Sequence, residues 1–139
     1  MNPAHVDAVQ RSFAQIAPIA PQAAALFYVN LFEADPALRS LFRGDMHRQG
    51  ERLMSMLGGA VKMLDKPAAL LPVLRSLGAR HAGYGVAPGH YASVGTALLT
   101  TLEQGLGEAW TADLKQAWTA VYAVIRDTML EGATQRVEA

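Results

Sequence analysis

Apolar positions along the chain recur at helical spacing, and Pro, Gly and small polar residues divide them into segments. Val6, Val9, Phe13 and Ile16 step by three, four and three, which is one face of a helix. Asn2 opens it as N-cap with Pro3 at the first helical position, and Pro18 ends it. Pro21 starts a second segment through Phe27, Tyr28, Leu31 and Phe32. Asp35 and Pro36 repeat the cap-plus-proline signal ahead of a short segment, Ala37 to Phe42, and Arg43, Gly44 and Asp45 read as a connector. Gln49, Leu53, Met56, Leu57, Ala60 and Leu64 then share one face of a longer helix. Gly58 and Gly59 lie inside it at a cost of about 1 kcal/mol each against Ala, which a close crossing by another helix would justify.

Asp65, Lys66 and Pro67 break the pattern again. Leu70, Leu74, Leu77 and His81 step by four, three and four, and Pro72 is tolerated only in a first turn, so the regular helix is expected to start close to it. The glycine-rich stretch from Gly83 to Gly89 forms a turn. Tyr91, Val94, Leu98 and Leu102 make the next stripe, which Gly105 and Gly107 stop. Thr111 caps a last helix carried by Leu114, Trp118, Val121, Tyr122, Ile125 and Met129, and the polar tail after Glu131 is expected to fray. The pattern predicts six substantial helices, a short one and no strand. Their unequal lengths and broken connections differ from an up-down four-helix bundle, so the fold class is all-α with irregular helix crossings.

Composition supports that reading and narrows the function. Ala and Leu number 42 of 139 residues against 20 for Val, Ile and Thr, a balance suited to helices in one domain. Twelve basic residues match twelve acidic ones, so nothing favours nucleic acid or an anionic membrane as partner. The absence of cysteine excludes disulfides, thiolate metal sites and a thiolate nucleophile. Residues Met1 to Asp7 lack the charged and apolar regions of a signal peptide, and no apolar run approaches the roughly 18 residues of a membrane span. A soluble cytoplasmic protein is expected.

Few residues are candidates for chemistry. His81 shares a stripe with Leu70, Leu74 and Leu77 at the end of its helix, which suits either a satisfied core histidine or an axial ligand for haem iron. As a ligand it would need an acceptor for its other ring nitrogen, and the Leu77 carbonyl one turn back is placed for that. Tyr28 and Gln49 are either a tyrosine and a glutamine reaching solvent or two neutral donors within an apolar cavity. His47 competes with Gln49, but turning it inward would bring Glu51 with it as an unpaired buried charge. Phe42, Trp118 and Tyr122 read as core, and His5 and His90 as surface residues near helix N-termini. Nucleophile-elbow and phosphate-loop signatures are absent, so a hydrolase or kinase finds no support.

Taken as an ordered series, the stretches Leu26 to Phe32, Asp35 to Phe42, Arg80 to Val86 and His90 to Gly95 resemble globins, above all single-domain bacterial haemoglobins and the globin domain of flavohaemoglobins. The resemblance runs from about Val6 to Met129. It implies a single globin domain over 1–139, with a core of about 4–131 and a polar tail 132–139, its helices arranged three over three around one haem b. The family's proximal iron ligand falls on His81, its haem-packing phenylalanine on Phe42, its distal tyrosine and glutamine on Tyr28 and Gln49, and its apolar distal neighbour on Leu53. Leu57, Leu77, Val86, Tyr91 and Val94 would line the cofactor, and Arg52 and Arg80 are candidates to meet its propionates. Flavohaemoglobins join Tyr91 and the proximal histidine to a glutamate in the last helix. That position is Ala133 here, and Glu131 would point about 200° away, which puts peroxidase-like activity in doubt.

The resemblance implies O2 binding, with CO and NO as further ligands, tightened by donors on Tyr28 and Gln49. Oxidation of NO to nitrate is the enzymatic alternative and would depend on a separate reductase. A haem-free interaction module of the same fold is the third. A monomer or weak homodimer is expected.

Overall fold

A computed structural model describes the backbone of residues 1–138 and the side chains of residues 1–134. The helices are α1 (Pro3–Ile16), α2 (Ala20–Ala34), α3 (Met46–Lys62), α4 (Pro67–Gly83), α5 (His90–Leu106) and α6 (Ala112–Glu138), with 3-10 turns at Ala17–Ile19, Pro36–Leu41 and Gly107–Ala109. No strand occurs among the described residues, and no helix is long and apolar enough to cross a membrane.

Local chemistry accounts for most boundaries. Asn2 caps α1 by accepting the Ala4 N–H at 2.8 Å, and Thr111 accepts the Leu114 N–H at 3.1 Å ahead of α6. Asp45, read as part of a connector, is the cap of α3 and accepts the His47 N–H at 2.9 Å. Asp35 caps nothing. Its carboxylate accepts the Ser93 hydroxyl of α5 at 3.3 Å instead, and the segment after it is a 3-10 turn.

The start of α4 corrects the expectation at Pro72. Pro67 takes the first-turn position, so Pro72 stands in the second turn and cannot donate to the Ala68 carbonyl. Packing overrides that loss, because Leu70 and Leu74 on either side of it are almost fully buried.

Six unequal helices enclose one core. Its largest fully buried side chains include Trp118, Leu31, Leu64, Leu70, Leu74, Val9 and Val121. The Trp118 indole N–H, 106 residues away in sequence, donates to the Ser12 hydroxyl at 2.9 Å, and that hydroxyl donates on to the Ala8 carbonyl at 2.8 Å. The main packing pairs are α4 with α6, α2 with α5, α1 with α6 and α2 with α3. They place α1, α3 and α4 over α2, α5 and α6, the three-over-three arrangement.

Glycines mark the close crossings, though not where the Gly58 and Gly59 pair suggested. Gly58 does lie under the Phe13 ring of α1, where a Cβ would come to 3.3 Å, but Gly59 faces open space. The tightest approaches join α4 to α6 at Gly78 and Gly132, where an added Cβ would overlap a backbone carbonyl of the other helix. This seating also explains why α6 does not end at Glu131, since Gly132 is buried against the Arg75 carbonyl and the helix continues to Glu138.

Candidate cofactor cleft

Consecutive helices α3 and α4 do not pack on one another. The first lies on α2 and α1 and the second on α6. Half-buried apolar residues on the surrounding elements pack against the core instead: Leu53 and Leu57 from α3, Leu77 from α4, Val86 from the following turn, Val94 from α5 and Phe42 from the end of the Pro36–Leu41 turn. Met56, placed on the same α3 face by its spacing, is 42% exposed.

His81 is half-buried on α4, and its Nδ1 lies 2.8 Å from the Leu77 carbonyl. A carbonyl only accepts, so Nδ1 carries the proton and donates, leaving the Nε2 lone pair free as a ligand atom. The backbone holds this end of α4 firmly, with the Tyr84 and Val86 N–H groups both donating to the His81 carbonyl at 3.0 and 3.1 Å. Gly85 at φ +92° makes that turn possible, and a Cβ there would sit 3.7 Å from Leu41 of the 3-10 segment.

Tyr28 is 8% exposed within an aromatic group. Its ring meets Phe42 edge-on at 5.2 Å and stacks on Phe32 at 6.0 Å, and Phe32 meets Phe42 at 5.5 Å. Its hydroxyl has no hydrogen-bond partner among the described residues, and burial pushes the phenol up to about 12. Tyr28 also borders a cleft of about 790 Å³ between α2 and α3, with Ala24, Gly50, Met54 and Arg39 among its walls.

Gln49 is engaged elsewhere. Its amide donates to the Arg43 carbonyl at 2.6 Å, which ties the start of α3 to the preceding connector. The neighbouring His47 is exposed and paired with Glu51 at 2.9 Å, the outward register that charge burial requires. Arg52 and Arg80 are exposed and form no ion pair among the described residues.

Tyr91 is buried, and its backbone carbonyl accepts the Tyr122 hydroxyl at 2.7 Å. Gly95 admits the Tyr122 ring, which a Cβ would meet at 2.7 Å. Burial, reinforced by Tyr91 and opposed by Arg126, pushes Tyr122 above the usual phenol range, and burial raises Tyr91 as well. Glu131 turns away to Arg75 of α4 at 3.6 Å, and Ala133 supplies no carboxylate. Trp118 is core, as read, and His90 accepts the Ala87 N–H on Nδ1 at 3.0 Å at the start of α5.

Sequence reasoning missed Phe32, Leu41 and Tyr122 as parts of this region. Phe32 follows Tyr28 by four residues, a visible signal. Tyr122 joins Tyr91 across 31 residues through a backbone carbonyl, which no spacing encodes.

A helical sandwich of this order, with a half-buried histidine bonded through Nδ1 to the carbonyl one turn back, defines a class, and known proteins agree with it. Residues 25–129 match the model of the Globin family, and the chain belongs to that family. A flavohemoprotein of Chromobacterium violaceum is 36% identical over 107 residues, covering 75% of this chain and 26% of the relative. A flavohemoprotein of Bordetella parapertussis is 34% identical over 107 residues and 27% of its length, so this chain spans about a quarter of those proteins. A neuroglobin of Danio rerio is 34% identical over 121 residues, 77% of this chain and 76% of the relative. Among solved structures, an engineered carbene transferase described as a candidate nitric oxide dioxygenase of Rhodothermus marinus superposes with a TM-score of 0.84 at 28% identity, covering 99% of this chain and 94% of that one.

Proposed function

We propose that His81 would hold the iron of haem b, with Phe42, Leu53, Leu57, Val86 and Val94 as its apolar surroundings, and that the haem would bind O2, and CO or NO. The observation that carries this reading is the half-buried His81 imidazole, its Nδ1 bonded to the Leu77 carbonyl and its Nε2 without a hydrogen-bond partner among the described residues. When bound, ferrous haem supplies an open axial position for a diatomic ligand.

The chain's own residues determine what that position favours. The Leu77 carbonyl fixes the ring orientation of His81. Leu53, Leu57, Val94 and Phe42 keep water from the site, and Val86 and Tyr91 close its His81 side. Tyr28 stays protonated and offers an otherwise unused hydroxyl to the partial negative charge of a polarised O2. Gln49 adds a second donor only if its amide leaves the Arg43 carbonyl. Arg52 and Arg80 are free to meet the propionates.

The test is the absorption spectrum of the purified protein with haemin added, in ferric, ferrous and ferrous-CO forms. A strong Soret band with a histidine-type CO complex is expected, and no Soret band would remove the cofactor from the reading. A second reading, oxidation of NO by O2 and one electron to nitrate, is favoured by the likeness to the Rhodothermus marinus structure. It needs an electron donor, and NO consumption that stays slow with a reductase present would exclude it.

A further inference from the structure

Helix α4 carries His81 yet is held from one side. It packs on α6 and has no comparable packing on α3 or α5. Two points of that interface bring backbone against backbone. A Cβ on Gly78 would overlap the Met129 carbonyl oxygen and lie 2.6 Å from the Met129 Cα, and a Cβ on Gly132 would overlap the Arg75 carbonyl oxygen and lie 2.6 Å from the Arg75 Cα. The two seats are reciprocal, a glycine of α4 on a carbonyl of α6 and the converse, and they permit Cα–H to carbonyl contacts. Beside the second, Arg75 reaches Glu131 at 3.6 Å. Gly78 itself adjoins Leu77, whose carbonyl takes the His81 Nδ1 proton, and precedes His81 by three residues, about 4.5 Å along the axis.

We propose that Gly78, with Gly132 as its counterpart, is a positioning residue whose seat on α6 sets the depth of α4 and hence where His81 presents Nε2. The proposal rests on the reading of His81 as the haem ligand. Any side chain at position 78 must part the helices until carbon and oxygen reach ordinary contact at about 3.5 Å. A close-packed interface does not absorb such a step locally. The side of α4 away from α6 is the compliant one, because no other helix packs on α4 to a comparable extent, so α4 shifts as a body and carries the imidazole with it.

The experiment uses the haem-loaded ferrous protein and reads the iron–histidine stretching band by resonance Raman together with the O2 dissociation constant. Gly78→Ala is expected to shift the band and to change the dissociation constant by about threefold or more, as overpacking strain passes to the ligand. Gly132→Ala, farther from His81, is expected to act the same way but more weakly. A merely damaged fold would also alter affinity, so both variants are repeated on His81→Gly supplied with free imidazole, a ligand no longer tethered to α4. In that background both readouts are expected to match the His81→Gly parent. An effect of equal size there, or an unmoved band in the tethered protein, overturns the proposal. If Gly78→Ala does not fold, Gly132→Ala decides by the same comparison. Failure of the unaltered chain to take up haem would instead overturn the ligand reading of His81, before any variant is made.

Discussion

Replacing Tyr28 by Phe removes one oxygen atom and nothing else that the fold uses. The ring keeps its neighbours Phe27, Phe32 and Phe42, with centroids 5.3, 6.0 and 5.2 Å away. The hydroxyl has no partner among the described residues, so its loss strands no buried donor or acceptor, and stability is expected to stay level or rise slightly. For a bound ligand the effect is larger. A hydrogen bond to a charge-bearing partner contributes about 1.5–3 kcal/mol net, which corresponds to about ten- to a hundredfold in affinity. Because Gln49 is engaged with the Arg43 carbonyl, it is poorly placed to compensate. O2 release, followed by stopped-flow displacement with CO, is therefore expected to speed up by about tenfold or more in Tyr28→Phe. CO release should change much less, since CO draws little charge from the iron. Burial holds the phenol at about 12, so the O2 rate of the unaltered protein should be flat from about pH 6 to 9. Acceleration of less than about twofold would mean that Tyr28 does not donate to the ligand, and an equal effect on CO would mean that the hydroxyl acts by steric exclusion.

Gln49→Leu is expected to speed O2 release less than Tyr28→Phe does, and the opposite order in the same stopped-flow assay would show that the amide leaves Arg43 for the ligand. His81→Ala should lose most haem in a titration with haemin, whereas full retention with an unchanged spectrum would point to another ligand. Ser12→Ala leaves the buried Trp118 N–H without its acceptor and should cost about 1–3 kcal/mol in urea denaturation, and no change would mean that water replaces the hydroxyl. Raised phenol values for Tyr28, Tyr91 and Tyr122 also make an alkaline prediction. Their stabilising effect is complete below the unfolded value near pH 10 and is lost as pH rises towards the folded values, because the unfolded chain releases those protons first. Tyr28 shares in that loss, so the urea midpoint should fall between about pH 10 and 12 and respond less in Tyr28→Phe.

Helices were legible in the sequence because they depend on neighbours. The 3.6-residue recurrence of apolar positions, Asn2 and Thr111 as caps, and the glycine-rich turn before α5 are interactions within a few residues, so the six helices fall where the pattern puts them. The His81 bond to the Leu77 carbonyl was legible for the same reason, one turn of one helix. So was the outward register of His47, which follows from the charge on Glu51. What the chain could not announce is set across long separations. Pro72 stands in a second turn because the burial of Leu70 and Leu74 outweighs one lost backbone bond. Asp35 leaves its turn for Ser93, and Tyr122 finds the Tyr91 carbonyl. Glycines at 58 and 59 looked like the close crossing, yet the tightest seats are Gly78 and Gly132, because which glycine meets a carbonyl depends on how two whole helices cross. The separation of α3 from α4 is likewise a tertiary result, because α3 finds its partners in α2 and α1 and α4 in α6, and no periodicity announces which helices will meet.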